Sequence, residues 1–170
     1  IMNIKILIPM VSVPEDVIKV KNKINEMKKK LDCLNIDFNE KIQVGSMIEV
    51  PSTLILLDEI LDVSDFVSIG TNDLVQYTMA ADREKITVSD YFDLGNDIIL
   101  KWLEKISKYS KQKSIHCTLC GELAGNINFT EKLLKSGIRN FSVTPSIALE
   151  LKNKIYQLSK KNNSIQIFNK

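Results

Sequence analysis

Residues 65–73, with the sequence DFVSIGTND, decide the fold class. A short run of apolar and β-branched residues ends there in Gly-Thr-Asn-Asp, and a segment with helical spacing follows. Four other segments repeat this change from a β-branched run to a helical pattern, at residues 4–10, 42–50, 114–122 and 140–144. Five repeats of strand and helix predict an α/β protein whose parallel sheet is covered by helices.

Local signals predict where the helices begin and end. Ser12 and Glu15 form a capping-box pair, with Pro14 in the first turn. Apolar residues three and four positions apart then predict one buried stripe, consisting of Val17, Val20, Ile24, Met27 and Leu31. A second helix follows Pro51. Further helix starts are predicted at Asn96, at Asn128 with Glu131 and at Ser146, and one helix end at Gly137.

Two architectures fit this alternation: an open doubly wound sheet, or part of an eight-stranded (β/α) barrel. A complete barrel needs about 250 residues, and the chain has 170. Spacing alone favours the open sheet. No Pro/Gly/Ser-rich linker divides the interior, so we expect one domain over residues 1–159 and a polar tail over residues 160–170.

Composition excludes several classes of protein. The chain is 44% hydrophobic and 26% charged, as is usual for globular domains. Its net charge of +2 gives no footprint for nucleic acid, and its apolar runs are too short to span a membrane. We expect no secretory signal at the amino terminus. The three cysteines are too few for a disulfide framework and suit the cytoplasm.

Acidic residues follow two consecutive predicted strands. Glu49 ends the second strand and Asp73 ends the third. Because the carboxyl ends of parallel strands meet at one edge, the two carboxylates are expected to face the same mouth. Two carboxylates with coordination positions left over suit Mg²⁺. The alternative is that each carboxylate caps the helix that follows it.

Arg83 follows the same strand and is one of only two arginines among 23 basic residues. Its planar donors suit phosphate or carboxylate, although an ion pair with Asp82 or Glu84 also explains it.

Cys117 and Cys120 have CxxC spacing, but residues three apart in a strand face opposite sides of the sheet. Cys120, at the predicted mouth, is therefore the candidate reactive thiol.

His116 is the only histidine. Because it begins a predicted strand, away from the mouth, it is interpreted as structural. A lone histidine in that position is also a poor basis for Ser/His/Asp catalysis.

Four motifs resemble one known family. SIGTNDLVQYTMAADR at residues 68–83, MIEVP at 47–51, CGELAG at 120–125 and KILIPM at 5–10 resemble the phosphoenolpyruvate-binding region of enzyme I. Enzyme I is the phosphoenolpyruvate–protein phosphotransferase of the bacterial sugar phosphotransferase system. The resemblance covers about residues 3–158. It implies a partial (β/α) barrel of TIM type, whose five strands correspond to the family's fourth to eighth strands.

The resemblance also implies roles for individual residues. Glu49 and Asp73 would hold Mg²⁺, while Asn72 and Arg83, with the backbone around Asp73, would bind the phosphate of phosphoenolpyruvate. Cys120 would protonate the enolate to give pyruvate. The implied partners are an amino-terminal domain with a phosphorylatable histidine, which this sequence lacks, the histidine-containing phosphocarrier protein, and a second copy in a homodimer.

Three functions are therefore open. The leading hypothesis is the carboxyl-terminal part of an enzyme I-type phosphotransferase that is inactive alone. A truncated, non-catalytic dimerisation or regulatory module is the second. A fragment of a related pyruvate phosphate dikinase or phosphoenolpyruvate synthase is the third.

Overall fold

A computed structural model describes residues 4–80 and 89–161 of the chain. Four parallel strands form one sheet in the order β1-β2-β3-β4. They are β1 (Lys5–Ile8), β2 (Gln43–Ile48), β3 (Phe66–Gly70) and β4 (His116–Cys120). The predicted α/β class with parallel strands is confirmed. The fifth predicted strand is reduced to an isolated bridge between Phe141 and Leu119, supported by hydrogen bonds on either side of Phe141.

Helices connect the strands as the periodicity predicts. They are α1 (Pro14–Cys33), α2 (Ser52–Ile55), α3 (Leu57–Asp62), α4 (Thr71–Met79), α5 (Ser89–Gln112), α6 (Glu122–Gly125), α7 (Thr130–Lys135) and α8 (Pro145–Lys161), with a 3-10 turn at Ile127–Phe129. The predicted end of α7 is confirmed, since Gly137 has a φ of +92° just beyond it. No helix in the described ranges has both the length and the hydropathy to cross a membrane.

The first helix begins at Pro14 as predicted, but its predicted capping pair and two other predicted helix starts are wrong. The carboxylate of Asp16, not that of Glu15, accepts hydrogen bonds from the backbone N–H groups of Ser12 and Val13 at the start of α1. Asn96 lies inside α5, which begins seven residues earlier at Ser89. Asn126, not Asn128, makes the capping contact before α7, where its Oδ1 accepts from Asn128 N at 3.1 Å.

The core lies between the sheet and its helices. Alternate strand residues point towards the helices and are buried, among them Ile48, Val67, Ile69 and Leu119. α5 contributes Ile99, Leu103 and Ile106 to the same cluster. Burial of this one face of the sheet stabilises the fold and leaves the carboxyl ends of the strands free for polar residues.

The other side of the sheet is called here the open face. It consists of Lys5, Leu7, Gln43, Gly45, Met47, Phe66, Ser68, His116 and Thr118, assigned by alternation and strand register. None of these side chains joins the buried core. Such a surface corresponds to the interior of a barrel, and the sheet therefore forms part of one.

Candidate functional site

Polar residues gather at the carboxyl ends of three neighbouring strands, as predicted. Glu49 follows β2, the Gly70–Asp73 turn follows β3, and Cys120 ends β4. β3 pairs with both β2 and β4. The Gly70–Asp73 turn therefore lies between Glu49 and Cys120.

Glu49 is held in a fixed position inside this edge. Its side chain is buried, with 6% exposed, and its Oε1 accepts a hydrogen bond from Met10 N at 2.7 Å. A Cβ atom at Gly70 would lie 2.5 Å from Glu49 Oε2, so a side chain at Gly70 would displace the carboxylate. No side chain caps α2, so the alternative interpretation of Glu49 as a helix cap is wrong.

Burial and a neighbouring carboxylate both disfavour the charged form of Glu49. Burial is the main cause that raises the pKa of Glu49, while the hydrogen bond from Met10 opposes the increase. The negative charge of Asp73 raises the pKa further, because two carboxylates at one edge repel each other. A divalent cation between them would remove both penalties.

The sequence pattern placed Asp73 at the end of the third strand, and this prediction is wrong. Asp73 lies in the first turn of α4. β3 stops at Gly70, and the helix begins directly at Thr71. A carboxylate in the first helical turn is stabilised by the helix dipole. Asp73 therefore helps to begin α4 and also faces the edge that holds Glu49.

A network of hydrogen bonds joins the turn after β3 to the turn after β4. Asn72 Oδ1 accepts from Glu122 N at 2.8 Å, and Thr71 Oγ1 donates to Cys120 O at 2.9 Å. Gly121 has a φ of +89°, and a Cβ atom there would lie 2.8 Å from Asn72 Oδ1. Gly121 is thus required both for its backbone conformation and for the close approach of Asn72.

The Cys120 thiol lies on the open face beside β3 and β2. Its Sγ donates to Ile69 O at 3.2 Å and accepts from Ser68 Oγ at 3.4 Å. Met47 Sδ lies 3.8 Å from the same sulfur. These contacts fix the position of the Cys120 sulfur at the end of β4.

Cys117 has a different environment from Cys120, as the alternation predicted. It packs against the buried core, and burial raises the pKa of the Cys117 thiol to about 11. Both thiols are free. His116 begins β4, at the end opposite to Cys120, which is consistent with the structural interpretation of this histidine.

Whether the residues suit Mg²⁺ depends on the donor set. No cluster of three or more His, Cys, Asp or Glu side chains occurs within residues 4–80 and 89–161. Mg²⁺ commonly uses only one or two carboxylates and takes its other ligands from water and substrate phosphate. Glu49 and Asp73 fit that requirement, because Glu49 is buried and only a backbone hydrogen bond from Met10 is found for it among the described residues.

A cavity of about 610 Å³ opens beside Cys120. Its walls come from the turn after β4 and from the segment that follows Phe141, and they include Asn72, Cys120, Glu122, Ser142, Thr144 and Ile147. Arg83, the remaining predicted site residue, lies outside the described residues.

Contacts of three other residues were not anticipated from the sequence pattern. Ser68 and Met47 approach the Cys120 sulfur, and Thr71 holds the Cys120 carbonyl. Period-two alternation could have assigned Met47 and Ser68 to the same face as Glu49 and Gly70. The contact of Met47 and Ser68 with Cys120 depends on the register of the neighbouring strands, and the sequence pattern does not specify that register.

A parallel sheet covered by helices on one face, with a polar edge at the carboxyl ends of its strands, defines a (β/α)-barrel type of domain. Solved structures agree. A citrate lyase from Burkholderia xenovorans superposes on 92% of this chain and 54% of its own, with a TM-score of 0.65 and 12% identity. A pyruvate kinase from Cryptosporidium parvum covers 92% of this chain and 32% of its own, with a TM-score of 0.63 and 14% identity. At these identities the likeness concerns the fold alone.

Sequence comparison identifies the family. Residues 1–160 match the family model described as the PEP-binding domain of PEP-utilising enzymes, and the chain belongs to that family. A phosphoenolpyruvate-protein phosphotransferase from Priestia megaterium is 36% identical over 158 residues, which cover 93% of this chain. Multiphosphoryl transfer protein 2 from Escherichia coli is 37% identical over 146 residues, 85% of this chain. The chain spans only 28% and 18% of the lengths of these relatives.

Proposed function

We propose that this chain is the carboxyl-terminal part of a phosphoenolpyruvate–protein phosphotransferase and binds Mg²⁺-phosphoenolpyruvate at the carboxyl edge of its sheet. The observation that carries the proposal is the convergence of Glu49, Asn72 and Cys120 around the Gly70–Asp73 turn. The similarity to relatives named phosphoenolpyruvate-protein phosphotransferase supports the choice of substrate.

Each residue has a distinct role in the proposal. Glu49 and Asp73 hold Mg²⁺, which supplies positive charge to the phosphate oxygens during phosphoryl transfer. Asn72 and Arg83 bind and orient the phosphate. For Asn72, the side-chain nitrogen serves as the donor, since its Oδ1 is already bonded to Glu122 N.

Cys120 acts on the carbon skeleton of the substrate. When the phosphoryl group leaves phosphoenolpyruvate, an enolate of pyruvate remains. The Cys120 thiol donates its proton to the methylene carbon, and pyruvate is released. The contacts of the sulfur with Ile69 O and Ser68 Oγ support this role, because they hold the thiol in one position.

The phosphoryl acceptor is proposed to be a histidine on an amino-terminal domain, which passes the group to the histidine-containing phosphocarrier protein. His116 is not that acceptor, because it lies at the opposite end of β4 from the site. The open face and the edge of β1, which pairs with no further strand among the described residues, also support association with further polypeptide, including a homodimer. Turnover is expected only in the assembled protein.

Calorimetric titration with phosphoenolpyruvate, with and without Mg²⁺, tests the site. Mg²⁺-dependent binding is expected in the chain. It is also expected in a chimera, in which residues 1–160 replace the matching segment of the Priestia megaterium relative. Glu49→Gln and Asp73→Asn are expected to weaken it at least about 100-fold, the cost of about 3 kcal/mol for a lost charged ligand. Glu59→Gln changes an exposed glutamate on α3 and is the matched control. Unchanged binding in Glu49→Gln would refute the metal assignment.

Cys120→Ala tests the proton donor separately. In the chimera it is expected to retain phosphoenolpyruvate affinity within about threefold but to lower pyruvate formation at least about 100-fold, as loss of a general acid does. Cys33→Ala, which removes the exposed thiol, is the control. Normal turnover in Cys120→Ala would remove this residue from the mechanism.

A further inference from the structure

Ser68 is the polar residue of β3, and its side chain lies on the open face beside the Cys120 sulfur. Ser68 is 7% exposed, and its register partners are Met47 on β2 and Thr118 on β4. Gly70, which pairs with Cys120, has no side chain. Diagonal neighbours on one face of a sheet lie within reach of each other. The register therefore brings the Ser68 hydroxyl to the Cys120 thiol.

The buried Ser68 hydroxyl has a weak hydrogen-bond partner. Its Oγ donates to Cys120 Sγ at 3.4 Å, the one side-chain hydrogen bond of Ser68 among the described residues. The Thr118 hydroxyl on the next strand lies 3.2 Å from His116 Nε2 instead. A neutral thiol is a weak acceptor, whereas buried hydroxyls usually have good partners. The contact would therefore become stronger if the sulfur became negatively charged.

The other neighbours of the Cys120 sulfur cannot stabilise a negative charge by hydrogen bonding. They are Ile69 O at 3.2 Å and Met47 Sδ at 3.8 Å. A carbonyl oxygen and a thioether have no hydrogen to donate. In the part of the chain that the structure describes, Ser68 is thus the one hydrogen-bond donor to this sulfur.

The proposed reaction places a negative charge on that sulfur. When Cys120 protonates the enolate, a C–H bond forms at the methylene carbon and the S–H bond breaks. The electron pair of the S–H bond remains on sulfur, which becomes a thiolate. A hydrogen bond to an ionised group is about twice as strong as one between neutral groups. The bond from Ser68 therefore strengthens during proton transfer, and it lowers the barrier without a matching gain in substrate affinity.

A second serine–cysteine pair lies on the helix-covered side of the same strand. Burial raises the pKa of the Cys117 thiol to about 11, and a hydrogen bond with Ser110 opposes that increase. A serine hydroxyl therefore favours the thiolate form of Cys117 as well. Cys117 packs against the core, whereas Cys120 borders the cavity of about 610 Å³. Of these two pairs, the one formed by Ser68 and Cys120 lies where a substrate can enter.

We propose that Ser68 is a positioning residue for the proton-transfer step, and that its hydroxyl stabilises the Cys120 thiolate as this forms. The inference rests on the proposed function, in which Cys120 is the proton donor. Ser68 acts only through the sulfur and is not proposed to touch the substrate.

The pH dependence of iodoacetamide labelling tests the pair in the full chain, without a substrate. Peptide mass spectrometry in a Cys33→Ala background measures the pH at which Cys120 reacts at half its maximal rate. In Ser68→Ala this pH is expected to rise by about 0.5–1 unit, because the thiolate loses a hydrogen bond. Ser68→Thr keeps a hydroxyl and should retain the original profile. Ser110→Ala, the matched control, removes a buried serine hydroxyl beside the other thiol and should leave the Cys120 profile unchanged.

Turnover of the chimera tests the role in the reaction. Ser68→Ala is expected to lower kcat for pyruvate formation about three- to tenfold, because the hydrogen bond strengthens only as charge develops on sulfur. The KM for phosphoenolpyruvate should stay within about twofold, since Ser68 does not contact the substrate. Ser110→Ala should change neither value.

Four results would overturn the proposal. An unchanged labelling profile in Ser68→Ala would show that the hydroxyl does not stabilise the thiolate. A raised KM with normal kcat would assign Ser68 to substrate binding. An equal loss in Ser68→Thr would make packing the cause. A chimera that forms no pyruvate with Ser68 and Cys120 intact would refute the proposed function and, with it, the role of Ser68 in turnover, whereas the labelling profile would still report on the pair.

Discussion

The two faces of the sheet are built from the same strands but behave differently. The face under the helices contains Ile48, Ile69 and Leu119, all fully buried. The open face contains charged, polar or partly exposed side chains, such as Lys5 and Thr118, and its Leu7 is 37% exposed. Glu49 and Cys120 stand at the carboxyl end of this open face.

The two faces have different roles: one stabilises the fold and the other carries the candidate functional residues. The helix-covered face provides the apolar burial that holds the sheet together. The open face carries the groups that are proposed to bind and react, the Glu49 carboxylate and the Cys120 thiol. Changes to the covered face should therefore alter stability, and changes to the open face should alter binding or reactivity.

The largest expected effect is from Leu119→Ala on the covered face. Leu119 is fully buried, and its truncation should lower the free energy of unfolding by about 2–5 kcal/mol. Met47→Ala on the open face should cost about 1 kcal/mol or less, because Met47 is only partly buried. Urea denaturation measures both. Equal losses would show that the open face is covered in solution.

The next effect is from Gly121→Ala at the polar edge. A φ of +89° and the approach of Asn72 predict a loss of about 1–3 kcal/mol. In Gly125→Ala the new methyl group would lie 3.7 Å from Ile147 Cγ2, so this variant should be neutral or more stable by up to about 1 kcal/mol. Thermal unfolding compares the two glycines. Gly121→Ala with wild-type stability would contradict the described turn.

A smaller effect is expected from Asp16→Ala at the start of α1, far from both faces. The hydrogen bonds from Ser12 and Val13 lower the pKa of Asp16. Its contribution, about 1 kcal/mol, is therefore present above the unfolded-state pKa near 3.8 and is lost as pH falls through the lower folded-state pKa. Glu15→Ala should change stability by only a few tenths of a kcal/mol. The difference between these variants, measured at pH 7 and at pH 2, should shrink at the lower pH.

Chemical labelling of the two thiols in β4, Cys117 and Cys120, compares the two faces of the sheet without changing stability. In a Cys33→Ala background at pH 8, about 0.1% of Cys117 is thiolate, since its pKa is about 11. Cys120 stands at the open face beside a cavity and should react at least about tenfold faster. Mass spectrometry of the labelled peptides measures the ratio. Faster modification of Cys117 would reverse the assignment of the faces.

Local features of the chain were predictable because neighbouring residues encode them. The spacing of Ile99, Leu103 and Ile106 predicts the buried face of α5, and all three are fully buried. The stripe of α1 follows the same spacing, yet only Val17 is buried and Met27 is 46% exposed. Periodicity identifies the apolar face of a helix, whereas its burial depends on what packs against it.

The candidate site was predictable to the level of strand ends. Glu49, Asn72 and Cys120 were placed at one edge because parallel strands present their carboxyl ends together. The hydrogen bond from Met10 to Glu49 spans 39 residues, and that from Ser68 to Cys120 spans 52. No local pattern specifies contacts of that length.

By itself, the sequence determined the alternation of strands and helices, the polar residues that follow each strand, and the opposite orientations of Cys117 and Cys120. These follow from periods of 3.6 and two residues along the chain. Only the tertiary structure decided that Glu49 packs against Gly70 and that Asn72 holds the turn after β4. Those contacts depend on the register of neighbouring strands and on the packing of distant helix ends, which short-range periodicity does not encode.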